Sequence, residues 1–434
     1  MPTVIRSALN SPIKNTIMSK YVLIACLLFN SILVAQVSPQ VDQQVTRITE
    51  AVQTAGHYAA TVLISENGAS RCDYEMLDGQ WLEYEPAWHT GQVIYGLLEA
   101  YRLTKDTSFL TAARKAGDWW ISLAITDQPQ LAGFLAAVHG GGVRDGLINF
   151  TTIADGTPGL FELSRVTDDP KYADVATRAG AWGMEHLFIP EEGLLYDIID
   201  LNNGEIWTDK SPHFPADYEL TVHDVARPNN EGFLYADMFR HTGNERYYDF
   251  FVTLCNSLVD KQSANGFWMD YHPNNRAKQK IHPRFNLWNA ESLLVGYELS
   301  NDERYLEAAL RTARAVQKWQ RKDGRMYYTN RPDGSFDKAS ICGSAVAFAG
   351  LLWLELQALG YDEFDQNIER SLAFVLNNQF PVDHPDPNLR GAFLETWSKT
   401  VDGEAWLRVR DVATSFGLRF LVRYHDLHQQ GVEE

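Results

Sequence analysis

Residues 96–120 read GLLEAYRLTKDTSFLTAARKAGDWW: an apolar helical stretch, a tight polar turn, then an amphipathic helical stretch. The same form returns at 159–182 (GLFELSRVTDDPKYADVATRAGAW), 232–258, 293–319 and 351–378. Its turn recurs as Thr104-Lys-Asp, Thr167-Asp-Asp-Pro, Thr242-Gly-Asn-Glu, Ser300-Asn-Asp-Glu and Gly360-Tyr-Asp-Glu. Thr, Ser or Gly closes one helix, Asp or Asn caps the next, and acids in the new first turn meet a favourable helix dipole. Self-similarity of this kind marks a repeat architecture.

Working outward, an opening helix covers about residues 40–65. Inner-type helices begin near Trp88, Asp155, Asn230, Trp288, Cys342 and Val412, and outer-type helices near Thr107, Pro170, Glu245, Asp302 and Glu363. The inner helices are apolar nearly all round, as buried helices are, whereas the outer ones carry charge on one face. Twelve helices in six hairpins predict an all-α fold, an (α/α)6 toroid. Inner-to-outer turns are short, but the outer-to-inner connections are long: about 66–87, 124–152, 187–228, 263–286, 321–340 and 380–410. Long loops in a compact domain are usually functional. All six fall at the end where the inner helices begin, so that mouth collects unpaired N–H groups and the positive ends of helix dipoles.

Composition excludes several classes. The chain has 434 residues, 45% hydrophobic and 22% charged, with net charge −18. That balance, with no basic run, argues against a sequence-independent nucleic-acid binder. No stretch beyond the N-terminus is apolar for the ~18 residues that a bilayer-spanning helix needs. Residues 18–35, MSKYVLIACLLFNSILVA, read as a secretory signal cleaved after Ala35, with Met18 an alternative start. Removing 1–35 would take the charge to −21, since the segment holds Arg6, Lys14 and Lys20 and no acids. Residues 36–434 are then expected to be one exported domain, periplasmic or secreted. Leu23-Ile-Ala-Cys26 leaves room for a lipid anchor but for no other membrane attachment. Cys72, Cys255 and Cys342 are odd in number and widely spaced, so neither a disulfide framework nor a zinc pattern is expected.

The expected mouth is rich in polar and aromatic residues. Its loops hold Trp88-His89, His139-Gly-Gly-Gly with Arg144-Asp145, then Asp155 and His223. Further along come Arg227, Asn229-Asn230, Trp268, Tyr271-His272, Arg284, Trp288 and Tyr328. Aromatic faces with Asn, Arg, His and carboxylates suit a sugar: rings stack on Trp and Tyr, hydroxyls need polar partners, and Arg reads a carboxylate. Asp155, before Gly156-Thr157-Pro158, reads equally as a helix cap and as a catalyst. Asn229 and Asn286 read as caps, and single histidines such as His57, His241 and His384 as structural. His223 and Asp224 form at most half of a metal site, so no metal or other cofactor is expected.

Trp88-His-Thr-Gly91 leading to Leu97-Leu-Glu-Ala-Tyr-Arg-Leu-Thr104, and Asp155-Gly-Thr-Pro158-Gly-Leu-Phe161 leading to Val166-Thr-Asp-Asp-Pro-Lys-Tyr172, resemble stretches of the six-hairpin sugar-active enzymes. They are most similar to the unsaturated glucuronyl and unsaturated rhamnogalacturonyl hydrolases. The resemblance implies hydration of the C4=C5 double bond of a terminal unsaturated uronyl group, with Asp155 donating the proton and Asp145 as its acidic neighbour. It also implies that Arg227 or Arg284 binds the sugar carboxylate and that Trp88, Trp268 or Trp288 stacks. One departure stands out: the family's catalytic Asp falls at the position of Thr152, so Asp155 would act from one turn later on the same face.

A lyase or dehydratase is the alternative. It would use His139, His223 or Tyr271 as base or acid and Arg227, Asn229 or Asn230 to neutralise the carboxylate. His89, Arg144, His272 and Tyr328 complete the candidate substrate contacts. Epimerisation and simple sugar binding are the remaining readings. In each, the expected partner is an oligosaccharide with a carboxylate-bearing sugar.

Overall fold

The computed structural model describes residues 43–138, 146–214, 220–228, 233–401 and 404–430. The chain forms two compact units, 1–49 and 50–434. Of the first, residues 43–49 are described and are helical; the proposed signal segment lies outside the described residues.

The second unit opens with helix α1 (50–58), which passes into a π-helical turn at Ala59–Leu63. Inner α2 (Pro86–Thr104) pairs with outer α3 (Thr107–Ile121). The next inner helix comes in two pieces, α4 (Phe150–Gly156) and α5 (Pro158–Thr167), followed by outer α6 (Lys171–His186). After the one-turn α7 (Val222–Val225) come α8 (Leu234–Thr242) with α9 (Glu245–Lys261) and α10 (Pro283–Ser300) with α11 (Glu303–Gln317). Then α12 (Gly343–Ala358) pairs with α13 (Asp365–Asn377), and α14 (Val412–Gln430) ends the described chain. Helix α14 packs on both α12 and α2, which closes the inner ring. This unit is the expected (α/α)6 toroid.

Local chemistry explains the hairpins. Asp106, Asn244 and Asp302 each accept a hydrogen bond from the backbone N–H two residues on, capping α3, α9 and α11. Lys105, Asp168, Gly243 and Asn301 take left-handed backbone angles that end the inner helices. Helix α12, GSAVAFAGLLWLELQA, is buried on nearly every face, whereas α11 buries one face and exposes the other.

Helices α2 and α4–α5 meet backbone to backbone. A β-carbon on Gly91 would overlap Gly156 O, and one on Gly159 would overlap Gly91 O. This close approach brings Asp155 alongside the first turns of α2. Gly91→Ala should therefore cost about 1–3 kcal/mol through overpacking. Urea denaturation checks it, and a midpoint equal to wild type would show that the helices separate freely.

The long connections, expected as loops, contain short strands. They carry β1 (Asp73–Glu75), β2 (Gln80–Leu82), β3 (Leu147–Asn149), β4 (Phe188–Ile189), β5 (Leu194–Tyr196), β6 (Ile198–Asp200), β7 (Glu205–Ile206) and β8 (Ala226–Arg227). The later ones are β9 (Tyr327–Asn330), β10 (Phe336–Ile341), β11 (Thr396–Val401) and β12 (Glu404–Arg410). They pair antiparallel into small sheets of order β11-β12-β1-β2, β10-β9, β3-β6-β7 and β4-β5-β8. Among the described residues no helix is long and apolar enough to cross a membrane.

Two helix starts differ from expectation. Asp155 is not an N-cap: Asn149 holds that place, and Asp155 sits in the last turn of α4. Asn286 lies inside α10, whose N-cap is His282. There Asn286 accepts from Trp268 N at 3.0 Å and donates to His282 O at 2.9 Å.

Candidate active site

The starts of α2, α4 and α10, with the loops above them, enclose a cavity of about 180 Å3. Glu85, Trp88, Asp155, Arg227, His282, Arg284 and Trp288 are among its walls. A second chamber of about 320 Å3, lined by Trp207 and Asp224 among others, shares Asn149, Arg227 and His272 with the first.

Asp155 is 2% exposed and reaches the cavity from α4. Thr152, three residues earlier, lines the same cavity, so the two positions do share a helical face. Gln92 holds this part of α4 by donating to Asp155 O at 2.5 Å.

Asp197, which the sequence reading passed over, organises the shared wall. One of its carboxylate oxygens accepts from Thr151 N at 2.8 Å and Thr151 Oγ1 at 2.6 Å. The other accepts from Asn149 Nδ2 at 3.1 Å and Arg227 Nη2 at 2.8 Å. Strand pairing brings these groups together, since β3 lies on β6 and β8 on β5. The Arg227 guanidinium also lies 5.4 Å from the centre of the Phe285 ring.

Glu395, a second residue passed over, does the same for Arg284. It is fully buried and accepts from Arg284 Nη1 at 3.0 Å, from Ser344 N at 2.7 Å and from the Tyr328 hydroxyl. Burial pushes its carboxyl above the usual range, against the pull of Arg284 and Arg410. The Arg284 guanidinium is held among Trp88, Trp288 and Tyr328, 5.4–6.0 Å from the ring centres.

Arg410 donates to Asp73 at 2.8 Å, and next to it His89 Nδ1 and Asp411 Oδ1 share a hydrogen bond of 2.5 Å. Asp73, His89 and Asp411 bring ligand-capable atoms within 4.8 Å of one another. Arg410 already neutralises Asp73 and His89 is engaged with Asp411, so we read this group as a buttress beneath Arg410.

His282 titrates well below an ordinary histidine because burial, then Arg284 and Arg410, disfavour its charged form. It therefore presents a neutral imidazole to the cavity. The unfolded chain takes up a proton near pH 6.5 that the folded one refuses, so the stability His282 contributes is complete above that pH. It falls as pH drops below 6.5, by up to about 1.4 kcal/mol per pH unit. Urea midpoints at pH 7.5 and 5.5 should fall less in His282→Gln than in wild type, and equal declines would contradict this.

The structure thus gathers Trp88, Asp155, Arg227, His272, Arg284 and Trp288 around the cavity. Others lie elsewhere. Trp268 is wholly enclosed, its indole N–H donated to Leu258 O at 2.9 Å, and so is packed in the wall rather than on the cavity surface. His89 is fully buried behind the cavity against Asp411. Tyr328 uses its hydroxyl on Glu395. Tyr271 packs on His223 at 4.9 Å between ring centres, and neither is among the described residues lining the two chambers. His139, Arg144, Asp145, Asn229 and Asn230 lie outside the described residues.

Among curated proteins no sequence matches the chain. Solved structures share its fold. Cellobiose 2-epimerase from Bacillus thermoamylovorans B4167 has 16% identity and a TM-score of 0.65 over 85% of this chain and 95% of that one. D-mannose isomerase has 16% identity and a TM-score of 0.61 over 87% and 97%. Unsaturated glucuronyl hydrolase from Bacillus sp. GL1 has 12% identity and a TM-score of 0.61 over 87% and 96%. The expected likeness to six-hairpin sugar enzymes is met, with that hydrolase among the neighbours. At these identities the likeness is one of fold. A family profile, described as the β-L-arabinofuranosidase, GH127 catalytic domain, matches residues 7–263. With well over half of its length covered by that profile, the chain belongs to the GH127 β-L-arabinofuranosidase catalytic-domain family and is a carbohydrate-active enzyme on an (α/α)6 toroid.

Proposed function

We propose that the protein is a glycoside hydrolase that removes a terminal neutral sugar from an oligosaccharide, an arabinofuranosyl unit being the first candidate. The observation that carries this reading is the smaller chamber: a cavity of sugar-ring scale bearing two carboxyls, Asp155 and Glu85, beside the Trp88 and Trp288 rings. Glycoside hydrolysis generally uses such a pair. Asp155 donates its proton to the glycosidic oxygen as the bond to the anomeric carbon breaks, Glu85 faces the positive charge that develops on the ring, and a water then adds to the anomeric carbon and gives its proton back to the Asp155 carboxylate. His282, neutral, accepts or donates a hydrogen bond to a sugar hydroxyl. Charge supports a neutral ring: Arg227, Arg284 and Arg410 are already matched by Asp197, Glu395 and Asp73.

Hydration of an unsaturated uronyl group is the second reading. It is favoured by the three arginines on the cavity wall, Arg227, Arg284 and Arg410, and by Asp155 one turn beyond Thr152. Elimination finds less support, because Tyr271 and His223 pack on each other.

Two assays separate the first two readings. Release of nitrophenol from nitrophenyl arabinofuranosides of both anomers, with other neutral glycosides alongside, supports the first. Loss of ultraviolet absorbance from lyase-generated uronate oligosaccharides supports the second. A rise of absorbance on saturated uronates would overturn both.

A further inference from the structure

We propose that the chamber of about 320 Å3 beside the smaller cavity is the site for the second sugar of the substrate, the one left after cleavage, and that Trp207 is its platform. This rests on the glycoside hydrolase reading and deepens it: the preferred substrate is an oligosaccharide with an uncharged ring next to the terminal one.

The two chambers share Asn149, Arg227 and His272, so a linkage joining rings in both passes this wall. Asp197 fixes two of the three, Asn149 and Arg227, through its hydrogen bonds. The wall is therefore pre-set rather than assembled on binding, which reduces the ordering cost of holding a linkage there.

Trp207 enters from the end of the β6–β7 hairpin, its backbone N–H donating to Ile198 O at 2.9 Å. His213 covers one face, 4.8 Å between ring centres and 11° between planes, and is held by Glu205 at 2.9 Å. Phe214 meets the same indole at 5.3 Å between ring centres and 78° between planes and lines the chamber with it, so the two rings together supply the aromatic surface on which a sugar ring stacks. The indole nitrogen Nε1 is buried without a hydrogen-bond partner among the described residues. A donor left in that state beside a cavity is suited to a ligand hydroxyl.

Charge selects against an acid here. Asp197 and Asp224 both line the chamber, and the one lining guanidinium, Arg227, is spent on Asp197. A uronate in this position would face the Asp224 carboxylate with no unmatched arginine or lysine to answer it among the described residues that line the chamber. Leu147, Ile198 and Leu220 supply the apolar remainder, which suits the C–H face of a neutral ring.

The test compares kcat/KM on an arabinofuranosyl disaccharide with that on the methyl arabinofuranoside of the same anomer. Wild type should prefer the disaccharide, and in Trp207→Ala that preference should fall about tenfold or more, chiefly through KM. Trp207→Phe should restore most of it, which a merely structural role would not produce. An unchanged preference in folded Trp207→Ala overturns the proposal. Should that variant fail to fold, Leu220→Arg at a half-buried position carries the same comparison. If wild type hydrolyses neither compound, calorimetric titration with the disaccharide distinguishes the two ideas. Binding that Trp207→Ala weakens upholds the second-sugar site while the hydrolase reading fails; binding equal in both proteins, or absent from wild type, overturns the site as well.

Discussion

Asp155→Asn should reduce turnover about 10²–10⁴-fold, the usual worth of a positioned general acid, with little change in KM. The substitution keeps the shape of the side chain and removes only its capacity to deliver a proton. The backbone bond from Gln92 to Asp155 O does not involve the side chain, so α4 should keep its place. Steady-state kinetics on the best glycoside, with a thermal melt as control, check this. Activity within threefold of wild type would reassign the proton donor, and Glu85 would be the next carboxyl to vary.

Glu395→Ala should be the most damaging change to stability, at about 3–5 kcal/mol, because it leaves the buried Arg284 guanidinium without its carboxylate. Three donors lose their acceptor together: Arg284, the Tyr328 hydroxyl and Ser344 N at the start of α12. Arg284 would also lose its hold among Trp88, Trp288 and Tyr328, so ligand affinity should fall along with the melting temperature. Glu395→Gln keeps an acceptor and the side-chain volume, and should lose markedly less. Urea denaturation of the two variants decides it. Equal, small losses would mean that Arg284 is held by its aromatic neighbours alone.

The toroid was legible because its signal is local. Each hairpin carries its own apolar inner helix, its own polar turn and its own cap, and five copies repeat the lesson. The small sheets were not legible for the opposite reason. Strands β1 and β12 are only three and seven residues long, and Asp73 meets Arg410 across 337 positions of sequence. Nothing near either strand announces the other.

The site divides in the same way. Residues in the first turns of inner helices, such as Trp88, Arg284 and Trp288, follow from knowing where those helices begin. Asp155 reached the cavity for a different reason from the one expected, because α4 starts earlier and Asp155 projects from its last turn. Asp197 and Glu395 carry no motif. Each sits in a connection and gains its role from donors on other segments: Thr151, Asn149 and Arg227 for the first, and Arg284, Tyr328 and Ser344 for the second. Their one signal was a lone acid beside apolar residues: Asp197 stands within Tyr196-Asp197-Ile198-Ile199, and Glu395 follows Phe393-Leu394. Trp268 shows the reverse error, since an aromatic residue in a mouth loop can belong to the wall.

The terminal sugar is expected in the smaller chamber, against Asp155. A crystal structure of Asp155→Asn soaked with an arabinofuranosyl disaccharide, or with the best substrate from the glycoside panel, tests this most directly. The expected result is the terminal ring between Asp155, Trp88 and Arg284, its glycosidic oxygen within hydrogen-bond distance of the residue at 155. A ring seated anywhere else on the protein, with that chamber empty, would contradict it.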